Sequence, residues 1–251
     1  MSSYKKKFIS DVMHTLITKA ILVVLKLSVS VMTARILGPT GRGIFFTSIQ
    51  TAGGLNTVGT LSVGEGLIYR ISRGFVATNQ VFGTVALIAS FFTLIICSIL
   101  YLLESFIIEQ LLREAPKGII SLIYILIPCS ILEYFSASAL RGLKLFSIAN
   151  KVNIVTRINI FLCLFVALVF LSSDVYTAVL SYTLAIFLNA FLYMLVLFFQ
   201  SMSSFKVNLV EVVNVIKYSG KVHVGALLTE VEYRLDVFII LYFLNAAAVG
   251  I

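Results

Sequence analysis

The chain has 251 residues, 60% of them hydrophobic and only 12% charged, with a mean hydropathy of +1.06. A soluble domain of this size carries about 25% charged residues, so this composition leaves too few charges to cover a water-exposed surface. The net charge of +8 sits in short stretches between apolar runs. There it sets membrane topology, and no nucleic-acid partner is expected.

The N-terminus carries Lys5, Lys6 and Lys7 ahead of an apolar stretch. Lys19 and Lys26 interrupt that stretch and no small-residue cleavage site follows, so it reads as a retained first helix, not a signal peptide. Further along, the apolar runs are continuous over about twenty residues, the length an α-helix needs to cross a hydrocarbon core of about 30 Å. A barrel would show alternating segments of about ten. Spans are predicted over 12–37, 44–69, 81–103, 118–140, 152–171, 175–199 and 222–244. The expected fold class is therefore all-α, a polytopic transmembrane helix bundle.

The connections are short. Gly38-Pro39-Thr40-Gly41 closes the first span, because proline cannot continue a helix and glycine suits the turn. Ser172-Ser173-Asp174 leaves room only for a tight hairpin. In the longest link, 200–221, Val207, Val210, Val213, Ile216 and Lys217 fit either a short amphipathic helix on the membrane surface or a structured linker. Cys97, Cys129 and Cys163 lie inside apolar runs with no metal or redox spacing, and they read as small hydrophobes.

With the N-terminus placed in the cytoplasm, eleven Lys and Arg residues fall on that side: Lys5, Lys6, Lys7, Arg70, Arg73, Arg141, Lys144, Lys151, Lys206, Lys217 and Lys221. Four fall outside: Arg35, Arg42, Arg113 and Lys117. The excess on the inner side predicts a cytoplasmic N-terminus for a multi-pass membrane protein.

Two stretches repeat at an offset of 207 residues, Arg35 to Ile44 and Tyr242 to Ile251. Each is the end of a polar-spotted helix, a small-residue turn, then Gly-Ile. Six spans separate the copies, so both helices run the same way. Parallel repeats of this kind occur in secondary transporters. The expected organisation is one six-helix lobe over 1–200, a cytoplasmic inter-lobe linker over 201–221, and the first helix of a second lobe over 222–251.

Three stretches carry a family resemblance. They are Thr33-Ala-Arg-Ile-Leu-Gly-Pro-Thr-Gly-Arg-Gly-Ile-Phe45, Leu140-Arg-Gly-Leu-Lys-Leu-Phe146, and Arg234-Leu-Asp236 through Gly250. Together they resemble the polysaccharide biosynthesis branch of the multidrug/oligosaccharidyl-lipid/polysaccharide exporter superfamily, the O-antigen-type lipid-linked oligosaccharide flippases. Family members usually have more helices, so the chain is expected to be truncated. The resemblance implies translocation of undecaprenyl-diphosphate-linked oligosaccharide units across the inner membrane for surface polysaccharide synthesis, by alternating access. It implies a lipid-linked oligosaccharide and membrane lipids as partners, with a polysaccharide polymerase and a chain-length regulator as further ones. The alternatives are a cation-coupled multidrug exporter of the same superfamily, or an inactive truncated fragment.

Ionisable groups inside a span are costly and usually face a cavity, a partner or the interface. Lys19 and Lys26 fall on nearly the same helix face. Lys19 is close enough to the surface to snorkel, whereas Lys26 lies about 10 Å deeper and suits a cavity-facing role toward a diphosphate. Arg234 is the third candidate substrate contact. Glu133, Arg157, Glu232 and Asp236 are candidates for ion coupling or structural pairing, with Glu133 and Arg157 able to pair with each other. Glu65, between two glycines, is read as a carboxylate at a distorted helix end. No P-loop, HExxH or GxSxG motif and no cysteine–histidine arrangement is present. No catalytic residue, cofactor or metal is expected.

Overall fold

Apolar runs that lack an internal break form single long helices. The computed structural model describes residues 2–201, 205–243 and 248, with side chains described at 13, 16–201, 205–223, 225, 239, 240 and 248. Among the described residues there are seven α-helices and no strand. They are α1 (Ser2–Gly59), α2 (Val63–Ser72), α3 (Val81–Phe106), α4 (Ile119–Gly142), α5 (Phe146–Val166), α6 (Val175–Gln200) and α7 (Leu209–Phe243). Among the described residues, five segments are long and apolar enough to cross a membrane: Leu16–Gly59, Thr78–Leu111, Ile119–Gly142, Phe146–Leu171 and Val175–Gln200. The chain is a multi-pass membrane protein of the all-α class.

The first of these segments has 44 residues, about 66 Å of helix, twice the hydrocarbon thickness. It is two crossings joined at Gly38, whose φ of 68° and ψ of 179° break the helix. Glycine adopts this backbone without a Cβ clash. Pro39 then sits in the first turn of the second arm, where its missing N–H costs nothing. The side chains prove the fold-back. Arg42 Nη2 donates to Ser30 Oγ at 3.0 Å, although a straight helix would hold these residues about 18 Å apart.

The second predicted span, 44–69, is not one helix. Its chain leaves α1 at Gly59, turns through Leu61 and Ser62 at positive φ (50° and 56°), and resumes as α2. The amphipathic segment predicted near 207–217 and the seventh span are continuous in α7. The buried face of its beginning is Val212, Val215, Ser219 and His223, whereas Val210 and Val213 are exposed. That face packs against α2.

Two ends of the bundle can be told apart by close approaches. At one end, a methyl group added to Gly41 would fall 3.2 Å from Val175 Cγ2, and one on Gly118 3.4 Å from the Tyr176 ring. The 38–41 turn, the 107–118 connection and the 172–174 hairpin therefore share this end. At the other end, a methyl on Gly142 would fall 2.9 Å from Ile71 Cβ, and one on Gly83 2.6 Å from Lys206 O. The links near 60–80, 142–146 and 205–208 share that one. The chain thus threads up and down, as the span order predicts. α4 is the central helix, packed on α1, α2, α3, α5 and α6. Its Ile123, Ile127, Phe135 and Ala139 are fully buried.

Candidate functional site

Inside the bundle, the two arms of α1 diverge from the Gly38 turn and leave a cavity of about 270 Å³ against α5 and α6. Its floor and walls come from both arms: Lys26, Val29, Ser30 and Thr33 from the first, Arg42, Phe45, Phe46 and Ile49 from the second. Arg157 and Ile160 of α5 and Tyr182 of α6 complete it. The spacing explains the convergence. Arg42, Phe45, Phe46 and Ile49 are separated by three, four and seven residues, so they share one helix face. Lys26, Val29, Ser30 and Thr33 repeat that pattern on the first arm. Phe45 and Tyr182 meet edge to face with centroids 6.0 Å apart, fixing the second arm against α6.

Three cations line this cavity: Lys26, Arg42 and Arg157. Lys26 is exposed, while Arg42 and Arg157 are half-buried. Arg42 is positioned by its bond to Ser30. Arg157 interacts electrostatically with Glu133 of α4, but the two do not form an ion pair within 4.0 Å. Glu133 is half-buried behind the cavity wall and is not part of its lining. An arrangement of two planar guanidiniums and an ammonium is suited to a polyanion such as a phosphate, which arginine engages through two parallel bonds and lysine as a point charge.

The wall behind Arg157 is held by side-chain amides. Asn159 Nδ2 donates to Asn189 Oδ1 at 2.8 Å and to Ala185 O at 3.1 Å. Asn189 Nδ2 donates in turn to Thr156 O at 3.3 Å. Asn189 is 1% exposed. These bonds lock α5 to α6 on either side of Arg157 in sequence, and so fix the stretch of helix that carries it.

Of the residues singled out in the sequence, Lys26 and Arg157 are brought together on one cavity. Lys19 is exposed and outside the lining. Glu65 is exposed in the first turn of α2, where a helix N-terminus favours a carboxylate. The side chains of Arg234, Glu232 and Asp236 lie outside the described residues, as does most of the second copy of the 207-residue repeat. Sequence reasoning missed Arg42, placed there in an outer loop. The available signal was Pro39: a proline at a helix start puts Arg42 already inside the first turn, in register with Phe45, Phe46 and Ile49.

A second cavity of about 350 Å³ lies along α5 and α6, lined by Leu162, Cys163, Val166, Leu180 and Leu184 among others. It is apolar and carries no charge. Among the described residues no group of His, Cys, Asp and Glu side chains has the geometry of a metal site.

Comparison with known proteins adds one positive finding. A family model described as "Polysaccharide biosynthesis protein" matches residues 6–251. No curated protein and no solved structure matches the chain. A match over nearly the whole chain, on a bundle whose cavity carries three cations, makes this chain a member of the polysaccharide biosynthesis protein family.

Proposed function

We propose that this protein moves a polyprenyl-diphosphate-linked saccharide unit, of the undecaprenyl type, from the inner to the outer leaflet of the bacterial inner membrane, by alternating access. The observation that carries the proposal is the convergence of Lys26, Arg42 and Arg157 on one membrane-embedded cavity. A charge held at the bilayer centre costs about 2.5–3.5 kcal/mol on insertion scales. Three like charges in one cavity also repel each other. An anionic ligand relieves both costs, whereas a cationic drug adds to them. This favours a diphosphate cargo over the multidrug-exporter alternative. The cavity, at about 270 Å³, falls just below the usual range for ligand sites, about 300 to 1,000 Å³. It suits a headgroup, with the lipid tail left in the bilayer and the glycan in the aqueous opening.

In this reading the N-terminus is cytoplasmic. Residues 1–200 form one lobe, 201–221 lead out of it, and 222–251 open a second. Lys26, Arg42 and Arg157 hold the diphosphate, with Arg234 and Lys19 as secondary contacts. The reading places the protein beside a polymerase and a chain-length regulator in the same membrane.

The test is leaflet exchange. Full-length protein is reconstituted in vesicles with a fluorescent polyprenyl-diphosphate-linked saccharide, and loss of the probe from one leaflet is followed by quenching. The protein accelerates exchange over bare vesicles. Lys26→Gln and Arg157→Gln each slow it by about ten- to a hundredfold, the equivalent of one charge-assisted bond of ~1.5–3 kcal/mol. Lys26→Arg retains most of the rate. Exchange at the protein-free rate with the parent protein defeats the proposal. Exchange that is unaffected by both glutamines removes this cavity from the path.

A further inference from the structure

The end of the bundle opposite the Gly38 turn is held by a contact that the cavity does not explain. α2 and the first half of α7 are joined there through four independent interactions. Arg70 donates from Nε at 3.0 Å and from Nη2 at 2.5 Å to Glu211 Oε2. Both side chains are largely buried, at 17% and 13% exposure. The rings of Tyr69 and Tyr218 stack with centroids 4.2 Å apart and planes 2° from parallel. Ser62 Oγ and His223 Nδ1 lie 3.0 Å apart, both buried. Gly66 lets the helices touch, because a methyl there would fall 2.8 Å from Val215 O.

Three features make this a device and not ordinary packing. First, α2 is cut from the rest of its crossing by a turn in which two consecutive non-glycine residues, Leu61 and Ser62, hold positive φ. Such backbone costs roughly 1 kcal/mol or more per residue and persists only when its surroundings hold it. One of the two strained residues, Ser62, is itself a partner in the clasp. Second, the interactions are of a kind that releases as a unit. An ion pair, a ring stack and a hydrogen bond all lie along one face of α7 and are lost together if α2 swings. Third, the cavity lies toward the other end. Its lining stops at Ile49 on the second arm, ten residues short of Gly59, about 15 Å along the helix.

We infer that α2 and the beginning of α7 form a latch that shuts the Arg70 end of the bundle, and that it must open, by a swing of α2 about Thr60–Ser62, for the cavity to be reached from that side. This rests on the transport reading for its purpose, since only a two-sided path needs such a latch. The latch itself is a statement about access and is testable without transport. Among the groups on the two faces, Arg70 and Glu211 supply the charge, Tyr69 and Tyr218 the packing, and Ser62 the link to the hinge.

The test uses the full chain with Cys97, Cys129 and Cys163 replaced by serine and a reporter, Phe46→Cys, on the cavity wall. A membrane-impermeant maleimide is applied to vesicles that expose the Arg70 end. With the latch intact the reporter labels slowly. Glu211→Gln raises its labelling rate from that side about tenfold, the change that ~1.4 kcal/mol in the closed-to-open balance produces. Tyr218→Ala does the same by removing the stack, so the conclusion does not hang on one variant. The exchanged pair Arg70→Glu with Glu211→Arg restores slow labelling. Unchanged labelling in both Glu211→Gln and Tyr218→Ala overturns the latch. Separately, Tyr69→Cys with Tyr218→Cys is joined by a short cleavable bis-thiol reagent. Leaflet exchange stops on joining and returns on cleavage. Exchange that continues in the joined protein overturns the latch and leaves the transport reading standing. A parent protein that labels as described but exchanges no lipid sinks the transport reading and leaves the latch.

Discussion

Asn159 and Asn189 show how one residue pair can place another. In a membrane a helix pair gains nothing from expelling water, so side-chain bonds and close packing decide the geometry. Asn159 reaches both Asn189 and the Ala185 carbonyl, and Asn189 returns to Thr156 O. Asn189→Ala leaves the Asn159 amide short of a partner. We expect it to cost about 0.6–2 kcal/mol of bundle stability, the measured range for such bonds, read by denaturant unfolding in detergent. It also slows leaflet exchange more than the neighbouring Phe191→Ala, because Phe191 is 63% exposed and holds nothing. Equal effects on exchange would mean that the amides do not position Arg157. Lys26 was legible from the sequence because depth alone made it unusual. Arg42 was not, because a glycine on each side disguised a first-turn helical residue as a loop. Arg157 was legible as a charge in a span, but its choice of the cavity over a close pair with Glu133 depends on where α4 sits. No local pattern encodes that.

At the scale of elements, helix ends and crossings carry the information. Asp174 caps α6: its carboxylate accepts from the Thr177 backbone N–H at 2.8 Å and from the hydroxyls of Ser172 and Thr177. Those bonds, the Ser172 hydroxyl first, hold its pKa below the ordinary aspartate value. A group with a depressed folded pKa stabilises the fold above its unfolded pKa, about 3.9 for aspartate, and loses that contribution as pH falls through the lower folded value. Asp174→Ala is therefore expected to cost about 1 kcal/mol at neutral pH, typical of a lost cap, and progressively less below pH ~4. Thermal unfolding at pH 7 and pH 3 checks this, and a gap as large at pH 3 would exclude the carboxylate as the cause. Gly66 makes a second element-scale case. Gly66→Ala forces α7 away from α2, since the obstacle is partly the Val215 carbonyl and not only a flexible side chain. It should loosen the latch and raise Phe46→Cys labelling from the Arg70 end, as Glu211→Gln does. The extents of α3, α4 and α6 were readable to within a few residues because their windows are uniformly apolar. The break after Gly59 was not. It occurs at Leu61 and Ser62, both at positive φ, a backbone that neither residue type favours, and it is imposed by what α2 packs against. The continuity of α7 was hidden for a related reason. Its first half is polar enough to read as either a separate short helix or a linker, and its contact with α2 is not encoded in the local pattern.

For the whole molecule, the separation of the two ends turns a charge count into a statement about sidedness. Arg70, Arg73 and Arg141 gather at the latch end, with Lys144 in the 142–146 link. The opposite end has Arg113 and Lys117 in the 107–118 connection. Arg42, counted there from the sequence, faces the cavity instead. Removing it from the outer set sharpens the asymmetry that orients a membrane protein, since only cations flanking the spans are held back on the cytoplasmic side. On the proposed orientation, the latch end is the cytoplasmic one. Under the proposed transport, a latch on the loading side, with the cavity lying toward the side of delivery, corresponds to a release-competent state. This ordering makes a definite prediction. In the cysteine-free background, Ser173→Cys sits in the exposed hairpin beside Asp174, and Thr78→Cys sits in the exposed link between α2 and α3. An impermeant maleimide added to intact spheroplasts should label Ser173→Cys at once and Thr78→Cys only after the membrane is opened. The reverse pattern would put the latch on the outside. The same contacts would then guard exit, not loading, and the cavity in this state would face the compartment where the precursor is made.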